Sequence, residues 1–328
     1  MNPDQTKPDE EKIDFSKIKT YSIHDRKNLV TLATMADPKM DPKPEWNPAG
    51  FDELIDRLAA ARENGRPIIW SMGAHVIKNG LSRYLIELIK EGWVTHLAGN
   101  GAVSIHDFEL ALIGGTSEDV PAAIEDGSFG MWEETGYHMN KAIQEGWRVG
   151  LGYGEAIATY MDRHPELFPY REISVIWQAK NKGIPATFHV ALGTDIIHQH
   201  PTADFAAIGG GSGIDFKKMC VTVSQLDGGV YLNFGSSVIG PEVFLKALSV
   251  SRNLGYPTYR ITTANFDLID LGDVMQPIGY DDPRYYYRPR KNIVIRPVSK
   301  GGKGFHFTVD HKTSVPALYH GLIEGKTK

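Results

Sequence analysis

The strongest constraint on the fold is an alternation of short apolar runs, glycine turns and helical segments that begins at Phe51. Residues 67–71 (PIIWS) and 94–98 (VTHLA) predict buried strands, each followed closely by glycine. Between them, apolar residues at helical spacing predict a helix over residues 82–91. Strand, glycine turn, helix and strand in this order are typical of a parallel sheet with crossover helices.

The same pattern returns after a mostly helical middle third. Further strands are predicted over residues 185–191, 229–234, 258–263, 292–296 and 305–309. Helices are predicted over residues 134–146, 154–163, 171–182, 215–226, 241–250 and 315–323. Because no internal repeat or linker interrupts residues 51–325, we expect one doubly wound α/β domain over residues 49–328 with a mostly parallel sheet.

Residues 1–48 are charged and marked by prolines, without a sustained helical or strand period. They predict an N-terminal arm. Such an arm is either a flexible segment or a wrap over the surface of its own domain, or it is a segment that reaches a neighbouring subunit. We prefer the first interpretation, in which the arm stays with its own domain.

Charge and cysteine content exclude several classes of protein. The 328 residues carry 35 Lys and Arg against 40 Asp and Glu, a net charge of −5, which argues against nucleic-acid binding. No apolar run approaches the roughly 20 residues that cross a bilayer. The single cysteine, Cys220, is typical of a reducing compartment, so we expect a cytoplasmic protein.

Small or polar residues follow the predicted strands. They occur at residues 71–73, 98–101, 193–195, 235–237 and 262–264. Because ligands bind beyond the carboxyl ends of strands in doubly wound sheets, these turns predict a polar ligand site. No strict G-x-G-x-x-G or Walker A motif is present. Residues 209–213 (GGGSG) could form either an anion-binding nest or a flexible loop.

Five residues could form a metal cluster: His189, Asp195, His198, His200 and Asp204. His198 and His200 would point to opposite faces of an extended segment, and the metal-binding H-E-x-x-H motif is missing. We therefore prefer histidines lining a polar pocket and expect no metal.

Acidic residues concentrate after the fifth predicted strand. The set is Asp267, Asp270, Asp273, Asp281 and Asp282, followed by tyrosines at residues 285–287. Such a loop could bind a cationic ligand, although a solvated acidic loop without a ligand is an equally good interpretation of these residues.

Two residues are candidates for catalysis. Lys291 lies among Arg288, Arg290 and Arg296, and neighbouring cations lower the pKa of a lysine, although the same cluster could bind an anion. His306 alternates with apolar residues on the last predicted strand and could act as a base or as a buried structural histidine.

Several stretches, in this order, resemble deoxyhypusine synthase and its bacterial relatives. They are residues 80–88 (GLSRYLIEL), 97–101 (LAGNG), 107–109 (DFE), 177–185 (WQAKNKGIP), 191–195 (ALGTD), 234–238 (FGSSV), 261–267 (ITTANFD), 309–310 (VD) and 316–318 (PAL).

The resemblance implies a Rossmann-like fold, a homotetramer with sites at subunit interfaces, and NAD as cofactor. By this resemblance, NAD would contact Ser71, Ala98, Gly99, Asn100, Gly101, Asp195, Gly235, Ser236, Thr262, Thr263 and Asp310. Asp267, Asp270 and Asp282 would bind a polyamine. Lys291 or His306 would be the nucleophile or base.

The function expected on this basis is an NAD-dependent transferase that moves an aminobutyl-type group from spermidine or a related polyamine to an amine acceptor. The alternative is a protein of the same fold that has lost the lysine chemistry. It would act as an NAD- or nucleotide-binding protein or as a metal-dependent hydrolase.

Overall fold

A computed structural model describes residues 13–274 and 276–325, and its main sheet has six parallel strands. The strands of the chain are β1 (Val30–Thr31), β2 (Ile68–Met72), β3 (His96–Asn100), β4 (Gly115–Thr116), β5 (Ala186–His189), β6 (Val230–Phe234), β7 (Thr262–Asp267) and β8 (Lys303–Thr308). The main sheet has the order β5-β3-β2-β6-β7-β8, with every neighbouring pair parallel. This is the order of a doubly wound Rossmann sheet, so the predicted fold class is confirmed.

Helices connect these strands and cover both faces of the sheet. They are α1 (Phe51–Glu63), α2 (His75–Lys78), α3 (Ser82–Lys90), α4 (Gly101–Ile113), α5 (Val120–Asp126), α6 (Glu133–Arg148), α7 (Tyr153–Arg163), α8 (Val175–Asn181), α9 (Phe205–Ser224), α10 (Ile239–Asn253) and α11 (His311–Glu324). No helix within the described residues is long and apolar enough to cross a membrane.

Each face of the sheet has its own apolar core. On one face, the rings of Trp70, Phe234 and Phe266 stack across three neighbouring strands, with centroids 3.9 Å and 4.5 Å apart. On the other face, Tyr231 stacks on Phe244 of α10 with centroids 3.9 Å apart. Burial of the sheet on both faces explains why its strands read as continuous apolar runs rather than as alternating ones.

Two predicted strands differ from the structure. The strand predicted over residues 258–263 begins four residues later, as Thr262–Asp267, because Ala264 and Phe266 enter the core there. The apolar run at residues 292–296 is part of a π-helical turn, Arg290–Ile295, with Ile293 and Val294 buried. A short apolar run does not by itself distinguish a strand from a buried helical turn.

The glycines at residues 209–213 lie inside α9, so they form neither a loop nor an anion-binding nest. A side chain at Gly210 would place Cβ 2.2 Å from Nε1 of Trp147. At this position the absence of a side chain lets α9 pack against the Trp147 indole of α6.

The described part of the N-terminal arm, residues 13–48, packs on the chain's own domain. β1 pairs antiparallel with β4. Arg26 donates two hydrogen bonds of 2.9 Å to the carboxylate of Glu109 on α4, and both side chains are buried. The hydroxyls of Thr116 and Thr135 complete the hydrogen bonding of this carboxylate. Residues 1–12 of the predicted arm lie outside the described residues.

We expect Glu109→Gln to lower the free energy of unfolding by about 3–5 kcal/mol, because it leaves the buried Arg26 guanidinium without a counter-charge. Arg57→Met is the matched control, since Arg57 pairs with Glu53 at the surface. It is expected to cost less than about 1 kcal/mol. Urea unfolding of both variants measures the difference, and equal small losses would show that the buried pair does not anchor the arm.

Candidate functional site

The connections after β2 and β6 approach each other at the carboxyl edge of the sheet, where the strand order reverses. A Cβ on Gly73 would lie 2.8 Å from the carbonyl oxygen of Gly235. Gly235 has a φ of +64°, and a Cβ there would lie 2.5 Å from Nε2 of His311. Two glycines therefore let the two connections pack closely where doubly wound sheets form their ligand-binding crevice, and we call this position the glycine-lined crevice.

Four polar residues form a row across the strands that border this crevice. Ser71 of β2 is paired in register with Asn233 of β6, Asn233 with Asn265 of β7, and Asn265 with His306 of β8. We call these four residues the polar row. Asn233 and Asn265 are fully buried. Sequence reasoning missed both, although an asparagine within an apolar strand such as residues 229–234 is itself an unusual signal.

Hydrogen bonds fix the orientation of each group in the polar row. Nε2 of His306 donates to the carbonyl oxygen of Ile269 at 2.9 Å, so Nδ1 is the acceptor for Asn265 Nδ2 at 3.0 Å. The Asn265 carbonyl oxygen then accepts from Asn233 Nδ2 at 2.7 Å. Burial lowers the pKa of His306, which keeps its imidazole neutral.

The row ends in a group of acceptors at the first turn of α10. Oδ1 of Asn233 is buried and has no hydrogen-bond partner among residues 13–274 and 276–325. A Cβ on Gly240 would lie 2.9–3.0 Å from this atom and from the hydroxyl oxygens of Ser71 and Ser236. Ser236 Oγ accepts from the Gly240 amide at 2.9 Å. The buried oxygen of Asn233 is thus an acceptor without a partner in the described chain, which a bound water or a ligand would satisfy.

The other residues predicted at this edge surround the start of α4. Ala98 and Gly99 are in β3, and Asn100 caps α4 by accepting from the Val103 amide. The Asp195 carboxylate lies against Gly101, where a Cβ would be 1.9 Å from Oδ2. Burial raises the pKa of Asp195 to about 6. These residues lie at the carboxyl edge, as expected from the sequence.

Thr262 and Thr263 are placed differently. They begin β7 and therefore lie at the amino edge of the sheet, the opposite edge from the crevice. Thr263 Oγ1 donates to the buried carbonyl of Ile293. Their predicted contact with a cofactor is wrong, because the strand starts where it was expected to end. Asp310 is exposed and caps α11 by accepting from the Lys312 amide.

The acidic candidates form separate local contacts. Asp267 accepts from the Tyr287 hydroxyl, and Asp270 accepts from the Gly272 amide at 2.8 Å. Asp282 pairs with Arg284, which lowers the pKa of Asp282 to about 2. Asp267 lies at the end of β7, two residues after Asn265 of the polar row.

Lys291 lies on the π-helical turn, with its ammonium 3.2 Å from the ring centroid of Tyr285. Burial and then Arg296 lower its pKa. Within residues 13–274 and 276–325, no hydrogen bond joins Lys291 to His306, so the two predicted catalytic residues do not form a pair.

The histidines considered as metal ligands have separate partners. His189 contacts Thr187 at 3.2 Å and His200 contacts Thr202 at 2.8 Å. His198 Nδ1 accepts from the Gly193 and Asp195 amides at 3.1 Å, which leaves the proton on Nε2. This arrangement agrees with histidines that serve the local fold.

Comparisons with known proteins assign part of the chain. Residues 52–159, less than half of the sequence, match the family model described as arginine dihydrolase ArgZ-like, C-terminal, Rossmann fold. The bifunctional arginine dihydrolase/ornithine cyclodeaminase ArgZ of a Synechocystis species is 32% identical over 63 residues. That match covers 19% of this chain and 9% of the relative, so the chain spans only a small part of the curated protein.

A solved structure supports the fold assignment. A conserved putative LOR/SDH protein from Methanococcus maripaludis S2 has a TM-score of 0.51 and 15% identity, over 87% of this chain and 74% of that one. AgrE, crystallised as a ternary complex with ornithine and NAD⁺, has a TM-score of 0.46 and 14% identity, over 84% of this chain and 33% of that one.

These findings correct the resemblance inferred from the sequence. The chain is similar to ArgZ-like proteins and not to deoxyhypusine synthase. The predicted aminobutyl transfer from spermidine or another polyamine, and the assignment as a transferase, are therefore wrong. The alternative of an NAD-binding protein of the same fold is closer, and the Rossmann fold of the matched family supports NAD as the cofactor.

We expect Asn265→Asp to raise the pKa of His306 by about 1–2 units. The neutral ring must donate from Nε2 to Ile269, so it offers only a lone pair to a carboxylate, whereas the protonated ring satisfies both neighbours. NMR titration of the His306 ring measures this pKa. Asn253→Asp, at the exposed end of α10, is the control and should leave it unchanged. An unchanged value in Asn265→Asp would contradict the hydrogen-bond order of the polar row.

Proposed function

We propose that this chain is an NAD-dependent enzyme acting on a small amino acid with a side-chain amine, of the ornithine type. The observation that carries the proposal is the glycine-lined crevice at the reversal of strand order, with the polar row ending in it. The names of the ArgZ relative and of the AgrE complex supply the substrate class and the cofactor.

The residues around the crevice fit a dinucleotide. Gly73 and Gly235 allow a ligand to approach the backbone, and Asn233 offers a buried acceptor without a partner in the described chain. The connection of residues 235–240 (GSSVIG) leads from β6 into α10, a helix of 15 residues, and its Ser237 is exposed. A helix start of this kind favours phosphate. When bound, NAD would accept and return a hydride.

The polar row orients the acceptor at the end of the crevice. His306 fixes the Asn265 amide, and the Asn233 amide nitrogen is fixed by donating to Asn265 and to the Ser236 carbonyl oxygen. Asn233 Oδ1 is therefore held as an acceptor for an N–H group of a ligand. His306 is assigned here as a positioning residue for this amide, and Ser71 and Ser236 add hydroxyls beside it.

The proposal is limited to amine chemistry at the Rossmann domain. The matched family model describes the C-terminal part of ArgZ-like proteins, so guanidine hydrolysis is not part of the proposal. The homotetramer expected from the sequence stays a prediction.

The function is tested by incubating the purified chain with NAD and L-ornithine and measuring ammonia and amino-acid products by mass spectrometry. We expect ammonia release that requires both compounds. A folded protein that binds NAD but releases no ammonia from ornithine or a related diamino acid would overturn the assigned reaction.

We expect Ser237→Glu to weaken NAD binding by about tenfold or more, because it adds a negative charge at the connection assigned to the phosphates. Isothermal titration calorimetry measures the affinity. Ser224→Glu is the matched control, since Ser224 is half-buried at the end of α9, before β6 begins at the opposite edge. Equal NAD affinity in both variants would place the cofactor elsewhere.

A further inference from the structure

A cavity of about 220 Å³ lies beside the start of α4, apart from the glycine-lined crevice. One face of α4 lines it through residues 102, 105, 106 and 109. Arg26 of the arm, Lys78 of α2, Glu118 and Asp195 bring charges to its wall. The cavity is therefore built from at least five separated parts of the chain and has charges of both signs.

The charges around the cavity divide into paired and unpaired groups. Arg26 and Glu109 neutralise each other at 2.9 Å. The Lys78 ammonium forms no ion pair or hydrogen bond with residues 13–274 and 276–325. Glu118 accepts contacts of 3.2 Å and 3.4 Å from the Gly130 amide and also interacts with the Trp132 indole, and it forms no ion pair in the described chain.

Asp195 is the second carboxylate without a cation. Its side chain is 7% exposed, and Oδ2 has no hydrogen-bond partner among the described residues. The closest titratable neighbour is His198, whose Nε2 is 3.9 Å away and whose pKa is lowered by burial. A neutral histidine at this distance does not compensate a carboxylate.

His106 contributes an acceptor rather than a charge. Thr116 donates its hydroxyl hydrogen to Glu109, so it accepts from Nδ1 of His106 at 2.7 Å. The lone pair of His106 is then on Nε2. Burial lowers the pKa of His106 to about 4, so the ring is neutral at physiological pH.

With the Arg26–Glu109 pair neutral, one ammonium and two carboxylates remain, a net charge of −1. The complementary ligand has one carboxylate and two ammonium groups. We propose that this cavity binds a small diamino acid of the ornithine type, with Lys78 holding its carboxylate and Glu118 and Asp195 holding its two ammonium groups. This inference deepens the proposed function, on which it rests, by placing the substrate.

The first test is calorimetric titration of the wild-type chain and Lys78→Met with L-ornithine, with and without NAD. We expect at least a tenfold loss of ornithine affinity in Lys78→Met, because a buried or half-buried charge pair is removed. Putrescine, which has two amines and no carboxylate, should bind both proteins equally weakly. Lys217→Met, on an exposed position of α9, is the matched control and should bind ornithine like the wild type.

Glu118→Gln and Asp195→Asn test the two ammonium sites. Each substitution should weaken ornithine binding several-fold. The substitution at the carboxylate that holds the side-chain amine should have a smaller effect on the binding of norvaline, which lacks that amine. In the wild type, ornithine affinity should fall as the pH drops below about 6, because Asp195 then takes up a proton. Thermal melting shows whether each variant is folded.

The two proposals fail in different ways. If Lys78→Met loses ornithine binding and the wild type does not bind NAD, the ornithine site in the cavity is supported and the cofactor site is overturned. NAD binding that is weakened by Ser237→Glu, together with ornithine affinity unchanged by Lys78→Met and Glu118→Gln, would overturn the cavity alone. No ornithine binding to the folded wild type, with or without NAD, would also overturn it.

Discussion

The parallel alignment of six strands is the constraint on which the rest of the structure depends. It brings all six carboxyl ends to one edge, and the right-handed crossovers place helices on both faces. Groups far apart in sequence, such as Gly73, Gly235 and His311, therefore meet at the reversal of strand order. The same alignment puts Ser71, Asn233, Asn265 and His306 in one register, so that a single histidine at the sheet margin sets the direction of every hydrogen bond between it and the crevice.

Two kinds of polar burial coexist in the domain. Two threonine hydroxyls complete the hydrogen bonding of the Arg26–Glu109 pair, so this pair has a structural role. Asn233 and Asp195 each keep a buried oxygen without a partner among the described residues. Such an atom costs free energy when it is left unpaired, and a bound ligand or water would return that energy. This difference distinguishes the structural Arg26–Glu109 pair from the two candidate binding positions at Asn233 and Asp195.

The sequence predicted the fold well, because buried parallel strands and their glycine turns have strong local signals. Gly73, Asn100 and Gly235 were recognised in this way. Strand ends were predicted less reliably: Thr262 and Thr263 lie at the opposite edge of the sheet because β7 begins at Thr262.

The polar row was missed because register between distant strands has no local signal. Lys78 and Glu118 were missed because a cavity assembled from α2, α4 and the arm depends on tertiary packing. The family resemblance failed because loose motifs in a shared order reflect the sheet more than the chemistry.

The arm has a consequence for how this chain is synthesised. Arg26 leaves the ribosome 83 residues before Glu109, and β1 long before its partner β4. During that interval, the guanidinium that later becomes buried remains in water, and the arm has no surface on which to settle. The arm can pack onto the domain only after α4 has formed. The cavity wall that includes Arg26 is therefore completed late, although Arg26 is synthesised early. The order of translation and the order of assembly are thus reversed at this site.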